Sequence, residues 1–323
     1  MHTVVITGIT GKSGQYFLKY LMKEREQLKN YRFVLLCRKN GIYSKNTAGY
    51  ALVQKALNTE GCNISLMEAD LQNPEEVRKV FREPVYMLIH AASVKLSMNI
   101  VPIAMEAGVD NFVLVHTTGI YSKYKAAGEE YRQIEKKIEQ LKKRYQNEGR
   151  EMAITILRPT MIYGDLNDKN VSTFIKMVDK LRIFPTVNGA YYDLQPVWCG
   201  DLGKAYFDVM MNWGVTKDKE YILSGGAPIQ LREMFQVIAK QLHVKNIFVS
   251  CPFPIAYAGA WFIYLITLKK IDMREKVQRL VEPRAFEYKE ATKDFGYSPV
   301  TFEVGVRREI QMYRRRNETK RNS

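Results

Sequence analysis

The N-terminal stretch VVITGITGKSGQYFLKYL constrains this chain more than any other part of it. A β-branched apolar run, Thr3–Thr7, meets Gly8, Gly11 and Gly14 and passes into the helix-patterned segment Ser13–Leu28. Each glycine answers a separate need. Gly8 suits a tight turn, Gly11 lets backbone N–H groups approach a pyrophosphate, and Gly14 lets the helix pack closely on the strand. The helix N-terminus adds partial positive charge where phosphates would lie. Glycines in strand-to-helix turns are often purely structural, and the position at the first strand of a βαβ unit is what favours a dinucleotide site. Thr10, Lys12 and Ser13 join the glycines as candidate cofactor contacts.

The rest of the first half alternates strand-like and helix-like segments. Thr3–Thr7, Arg32–Cys37, Asn63–Glu68, Val85–His90, Asn111–His116 and Ala153–Leu157 read as strands, with helices over Ser13–Leu28, Pro74–Phe81, Met98–Ala107 and Glu129–Lys143. Runs such as FVLL and MLIH are apolar on consecutive residues, as strands covered on both faces require. The fold class is therefore α/β, a Rossmann-type doubly wound parallel sheet. After Gly164 the alternation loosens, and the later residues are expected to build a smaller substrate lobe. The division expected is residues 1–164, completed by about 192–224, for the dinucleotide domain. Residues 165–191 and 225–312 form the substrate lobe, and 313–323 a frayed basic tail.

Charge and cysteines narrow the function classes. The 49 Lys+Arg exceed the 34 Asp+Glu, a formal net charge of +15, which raises the question of nucleic acid. The run EEYRQIEKKIEQLKKR, however, carries Ile134, Ile138 and Leu141 on one helical face, the pattern of an amphipathic helix with a solvated outer side. No aromatic platform or binding motif accompanies the charge, so no nucleic-acid partner is expected. Cys37, Cys62, Cys199 and Cys251 are scattered without close Cys or His partners, which reads as reduced thiols and no metal site. The N-terminus lacks the pattern of a secretory signal, and a cytoplasmic location is expected.

Asn246–Leu268 contains no charged residue and is followed by Lys269 and Lys270. Ser250, Pro252 and Pro254 interrupt its first third, leaving an apolar stretch short of the roughly 20 residues of a span. A packed helix of the second lobe is favoured over a membrane-surface helix and over a true span.

The second strand ends LLCRKN. Where an NAD site usually places an Asp or Glu against the ribose 2′-hydroxyl, this chain has Cys37, Arg38 and Lys39. A guanidinium there suits a 2′-phosphate, which it meets with paired hydrogen bonds, so NADP is expected over NAD. The competing reading leaves Arg38 and Lys39 as solvated loop residues.

Further motifs follow: Ala69–Asp70–Leu71 after the third strand, His90–Ala91–Ala92–Ser93 after the fourth, and Arg158–Pro159 with Tyr163–Gly164 after the sixth. Val197–Trp198–Cys199–Gly200–Asp201 and the later DFGYSPVTFEVGV complete the set. With the TGxxGxxG turn, these motifs resemble the extended short-chain dehydrogenase/reductase superfamily in its NAD(P)-dependent epimerase/dehydratase branch, over almost the whole chain. The resemblance implies a cofactor on the carboxyl edge of the sheet, with Asp70 and Leu71 at the adenine and Ala91 and Ala92 on the path to the nicotinamide. Ser93 and Pro159 belong to the same implied cofactor site, and the substrate would lie between the lobes. A homodimer through Met98–Ala107 and Glu129–Lys143 would match the family.

The family's usual chemistry needs a Ser or Thr hydroxyl on the substrate oxygen, a Tyr acting as acid/base, and a Lys four residues later. A phenol that ionises near about 10 needs such a cation to exchange protons at neutral pH. Thr117 and Thr118 fill the hydroxyl position. Tyr131 lies on a helix at a family-like distance from Thr118, yet the residue four later is Glu135, an acid where the dyad needs a cation. Tyr121 has Lys125 four residues later but directly follows the fifth strand, where a loop is expected. If Glu135 instead matches the acidic position after the family's lysine, the dyad falls on Ala127 and Tyr131. On either alignment the standard pair is absent or displaced. Tyr131, Tyr121, Lys123 and Lys125 stand as proton donors against readings as surface or packing residues, and His90 and His116 read as packing residues.

The expectation is an NADP-dependent oxidoreductase or epimerase-like enzyme acting on a carbonyl or hydroxyl of a small anionic substrate, with a nucleotide-linked sugar as one candidate. The alternative is a non-catalytic NADP(H)-binding redox sensor or regulator. Basic charge can steer an anionic substrate, but fold and cofactor do not specify chemistry.

Overall fold

The computed structural model describes residues 1–38, 47–124 and 128–321, so Lys39 and Lys125 lie outside the described residues. The first half holds β1 (His2–Thr7), α1 (Lys12–Lys23), β2 (Tyr31–Cys37), α2 (Thr47–Leu57), β3 (Ile64–Glu68), α3 (Pro74–Val80), β4 (Met87–His90), α4 (Ser97–Glu106), β5 (Asn111–Val115), α5 (Gly128–Asn147) and β6 (Ala153–Pro159). Then follow β7 (Ile162–Tyr163), α6 (Val171–Lys180), β8 (Ile183–Val187), β9 (Asp193–Leu194), β10 (Val197–Trp198), α7 (Cys199–Met211), α8 (Trp213–Thr216) and β11 (Glu220–Leu223). β12 (Ile229–Gln230), α9 (Leu231–Leu242), β13 (Ile247–Cys251), α10 (Phe253–Ile266), α11 (Arg274–Leu280), α12 (Lys289–Phe295) and α13 (Phe302–Arg321) complete the described chain.

The strands of the first half form where apolar runs predict them. β1 shows why those runs are continuous: Val4 and Ile6 enter a core shared with α1, α2 and α7, while Val5 enters the opposite core under α3, α4 and α5. Helix ends follow local rules. Asn73 caps α3 by accepting from the Glu75 N–H, Pro74 opens the helix, and Glu75 and Glu76 sit in its first turn. The predicted helix over Ser13–Leu28 instead ends at Lys23, and a 3-10 turn carries Arg25–Leu28.

The seven strands are parallel in the order β3-β2-β1-β4-β5-β6-β11. Chain direction across the sheet reverses between β1 and β4, which opens a crevice at their carboxyl ends. The doubly wound parallel sheet is thus the fold observed. α5 places Ile134 and Ile138 in the core and pairs Arg132 with Glu129 and Arg144 with Glu148 on its outer side, as a solvated face should.

The smaller lobe packs α6, α9 and α13 around Ile175, Phe184, Phe235, Ile238 and Val306. Phe184 and Phe235 lie 4.7 Å apart at their centroids, and β8 pairs in parallel with β13. Two expectations are corrected here. Residues 314–321 are not frayed, because α13 continues to Arg321 and the buried Tyr313 donates to Asp179 Oδ2 at 2.8 Å. Residues 246–268 do not form a packed helix: they divide into β13 and α10, and within α10 only Ala260 is buried.

Candidate active site

The glycine turn is built by steric limits on the backbone. Gly8 has φ +75°, and a Cβ there would stand 2.4 Å from the Ala91 carbonyl carbon. β1 therefore touches the end of β4 at a point where only a glycine fits. At Gly14 a Cβ would stand 2.2 Å from the Gly8 oxygen, so this glycine lets α1 rest on the turn itself. The Gly11 N–H donates to the Gly8 oxygen at 2.9 Å. Gly11 precedes α1 without a side-chain cap, and the first turn carries no acidic residue. The N–H groups of that turn are left for an anion. Gln15 fastens the loop by donating to the Thr10 carbonyl at 3.0 Å. Ser13 is committed elsewhere, since its Oγ accepts from the buried Tyr206 hydroxyl at 3.1 Å.

The other expected cofactor residues stand along the same edge. Arg38 follows β2 and is exposed. Asp70 shapes the loop after β3 by accepting from the Gln72 N–H at 3.0 Å, and Leu71 is buried beneath it. Ala91 and Ala92 are half-buried after β4, and Ser93 is exposed. His90 bonds to Thr7 Oγ1 at 2.7 Å, its register neighbour across β1 and β4. Burial, with the nearby His116, brings the His90 pKa down to about 4, so the ring is neutral at pH 7. It is a packing residue, as the sequence suggested.

A cleft of about 720 Å³ opens between the lobes, and its wall includes Lys12, Thr117, Thr118 and Tyr121. Thr117 Oγ1 accepts from the Gly119 N–H at 3.0 Å, whereas the Thr118 hydroxyl donates to the Pro159 carbonyl at 3.2 Å. The Tyr121 hydroxyl donates to Glu220 Oε1 at 2.9 Å. Burial and that carboxylate push the Tyr121 phenol up to about 12. Tyr131 stands apart from these groups: its half-buried ring packs against the core under α3, α4 and α5 and is not part of the cleft wall.

Glu135 explains why the sequence was ambiguous here. It accepts two bonds from Arg158, Nη1 at 2.6 Å and Nη2 at 2.9 Å, and bonds to His116 Nδ1 at 2.7 Å. Burial alone would raise the Glu135 carboxyl, but His116 and Arg158 bring it down to about 2. Arg158 also donates through Nη2 to Glu220 Oε2 at 3.0 Å and bonds Glu220 Oε1 through Nε, and its guanidinium lies over the Tyr121 ring at 5.7 Å. One buried cation thus joins two carboxylates from α5 and β11. Glu135 is the partner of that cation.

Several cleft residues carried no sequence signal. Arg279 lies in the last turn of α11 and Arg284 in the segment after it, and both have a buried Nε without a hydrogen-bond partner among the described residues. Burial, with the charge of Arg279 beside it, lowers the Arg284 pKa to about 10. Arg279 and Arg284 thus bring two guanidinium groups together at the cleft wall, Arg284 being the more buried of the two. Glu282 spans the cleft by accepting from Ser122 Oγ at 2.7 Å and from the Lys123 N–H at 2.8 Å. Gln195 anchors the same segment by accepting from the Phe286 N–H at 2.9 Å. Sequence inspection could have flagged only Arg158, a lone cation in a buried strand.

A glycine turn at the switch point of a parallel sheet, facing a cleft with hydroxyls after β5, defines the dinucleotide-dependent dehydrogenase/epimerase class of fold. The chain belongs to the NAD dependent epimerase/dehydratase family, whose model matches residues 4–183. Similar solved structures include the UDP-glucose 4-epimerase of Thermotoga maritima, 15% identical with a TM-score of 0.68 over 97% of this chain and 99% of that one. A dTDP-glucose 4,6-dehydratase of Streptomyces venezuelae has a TM-score of 0.71 at 15% identity, covering 97% of both chains. At such identities the likeness is one of fold. The mitochondrial NADH dehydrogenase 1 alpha subcomplex subunit 9 of Arabidopsis thaliana is 27% identical over 106 residues, which are 33% of this chain and 26% of that protein.

Proposed function

We propose that the protein is an NADP-dependent oxidoreductase or epimerase/dehydratase-like enzyme acting on a carbonyl or hydroxyl of a small anionic substrate. A nucleotide-linked sugar is the class suggested by the fold relatives solved with UDP-glucose or with NAD. The observation that carries this reading is one cleft that takes its wall from the start of α1, from the hydroxyls after β5 and from two guanidinium groups whose buried Nε atoms lack a hydrogen-bond partner among the described residues. Residues 1–164 with about 192–224 would hold the cofactor, and 165–191 with 225–312 the substrate.

The uncapped start of α1 fits a pyrophosphate. Gly8, Thr10, Gly11, Lys12, Ser13 and Gly14 would surround it, with Ser13 contributing its backbone because its hydroxyl is bonded to Tyr206. Arg38 would meet the 2′-phosphate, Asp70 and Leu71 the adenine, and Ala91, Ala92, Ser93 and Pro159 the remaining path. NADP, when bound, supplies or accepts a hydride. Thr117 is the better hydroxyl to polarise the reacting oxygen, because its Oγ1 accepts from Gly119 and its own proton remains to give. Tyr121 is the proton donor of this arrangement: a phenol raised to about 12 stays protonated at neutral pH. Arg279 and Arg284 would hold the anionic end of the substrate.

Titration with NADPH and NADH, followed by nicotinamide fluorescence, tests the cofactor half. Tight NADPH binding that Arg38→Ala weakens by about tenfold or more is expected, the worth of a charge-assisted bond. Failure of both nucleotides to bind would overturn the reading. A regulatory protein without turnover is the second reading, favoured by one observation: Tyr121 is held by a carboxylate where the dyad needs an ammonium group. Substrate-dependent NADPH oxidation that is lost in Thr117→Val and Tyr121→Phe would rule it out.

A further inference from the structure

We infer that α10 and the cations at its end form a docking element for the surface of an anionic lipid bilayer. This rests on a part of the molecule outside the cleft and stands independently of the cofactor and substrate reading. α10 turns Phe253, Ala256, Tyr257, Ala260 and Tyr264 at least partly toward the protein and leaves the residues between them to water. Ile255 is 63% exposed, Phe262 64%, Leu265 55% and Ile266 61%. Single exposed apolar residues are ordinary, but an uncovered apolar helix face marks a binding surface.

The length of α10 decides how it would meet a membrane. Its 14 residues extend about 21 Å. That is short of the roughly 30 Å of bilayer hydrocarbon, and no helix among the described residues is long and apolar enough to cross. The helix would lie along the interface.

Three observations favour a lipid surface over a second copy of the chain. First, no charge occurs from Asn246 to Leu268, and the exposed Lys269 and Lys270 then follow at the turn that ends the helix. Arg274 adds a guanidinium 4.6 Å from the Trp261 ring and 4.0 Å from the Tyr264 ring, and the one acid in that turn, Asp272, is paired with it. Cations bordering an apolar face complement anionic headgroups, whereas two such faces brought together would place like charges side by side. Second, Trp261 lies on the open side of this helix, 42% exposed, and such a ring settles at headgroup depth. Third, the strand leading into α10 is itself apolar and exposes Ile247 and Val249, while Phe248 packs toward the core. Ile183 and its register neighbour Ile247 are 61% and 66% exposed. Asn188, just after β8, accepts from the Phe253 N–H at 2.8 Å and ties the start of α10 to that strand pair.

Flotation of the full chain with vesicles of phosphatidylcholine, alone or mixed with phosphatidylserine, tests the inference. Flotation with the mixed vesicles at low salt is expected, with little on phosphatidylcholine alone and a loss at high salt. Phe262→Glu with Ile266→Glu should cut partitioning by about tenfold or more. Lys269→Ala with Lys270→Ala should cut it by about tenfold and flatten the salt dependence. These side chains are exposed, and an unchanged circular dichroism spectrum checks that each variant folds. As a measurement needing no charge reversal, Trp emission should shift to the blue on the mixed vesicles and fail to do so in Trp261→Phe. No flotation at low salt, or equal flotation by Phe262→Glu with Ile266→Glu, overturns the inference. A dimer that this pair dissociates, without vesicle binding, overturns it in favour of a second copy.

Discussion

The two walls of the candidate site are held by different physics. The wall at the β1–α1 turn and the end of β4 is a matter of backbone contact: Gly8 and Gly14 remove the side chains that would keep β1, α1 and the Ala91 peptide apart. The wall at β5, β6 and β11 is held by charge, with Arg158 joining Glu135 and Glu220 beneath Tyr121. A steric device tolerates no substitution but is indifferent to pH. An ionic one accepts a matched apolar replacement yet responds to acid.

The comparison is broken most severely at Gly8. Gly8→Ala forces a left-handed φ on a residue whose Cβ stands 2.4 Å from the Ala91 carbon, a cost of about 4 kcal/mol. It should appear as a lowered urea midpoint at every pH. Arg158→Met comes next, at about 3 kcal/mol, because the largely buried Glu135 loses both guanidinium bonds and keeps only His116. Changing Glu135 to Leu in the same chain should recover most of that loss. The pH dependence follows from the depressed Glu135 carboxyl. Its contribution is fully present above the unfolded value of about 4.3 and is lost as pH falls toward 2. Unfolding midpoints between pH 6 and pH 3 should fall less steeply in the Arg158→Met, Glu135→Leu double variant than in the parent.

Tyr121→Phe sharpens the comparison at the level of chemistry. It should lower kcat by about a hundredfold while leaving NADPH binding unchanged, and Tyr131→Phe should leave kcat unchanged. An equal loss from Tyr131→Phe would return the proton donor to α5. The smallest effect belongs to the second lobe, where burial and the neighbouring Asp168 raise the pKa of Glu309. A carboxyl raised on folding lowers stability as pH rises above its unfolded value. Glu309→Gln should therefore stabilise the protein by about 1 kcal/mol at pH 8 and by nothing at pH 4, read from paired denaturation curves.

Much of the first wall was legible because its causes are local. Three glycines at set intervals after a β-branched run describe a turn without reference to the rest of the chain. The second wall was only half legible. Thr117 and Thr118 follow β5 as the family pattern implies, but Tyr131 and Tyr121 could not be separated by spacing. What separates them is a strand and a segment far along the chain: Glu220, 99 residues beyond Tyr121, holds its hydroxyl, and Glu282, 160 residues beyond Ser122, spans the cleft opening. Arg279 ends α11 and Arg284 follows it with no motif around either, and composition could not reveal that their Nε groups lack partners among the described residues.

The two apolar helices α4 and α10 mark the same boundary. α4 buries Ile100, Val101, Ala104 and Met105, whereas α10, more apolar still, buries only Ala260. Hydropathy states how much a segment gains by leaving water, not what will cover it. By itself the sequence determined the order of strands and helices, the glycine turn and the both-sided burial of the sheet, because backbone sterics and hydrophobic period act over a few residues. Tertiary structure alone decided which tyrosine reaches the cleft, which acid neutralises Arg158 and which apolar helix stays exposed, because each depends on groups brought together from distant parts of the chain.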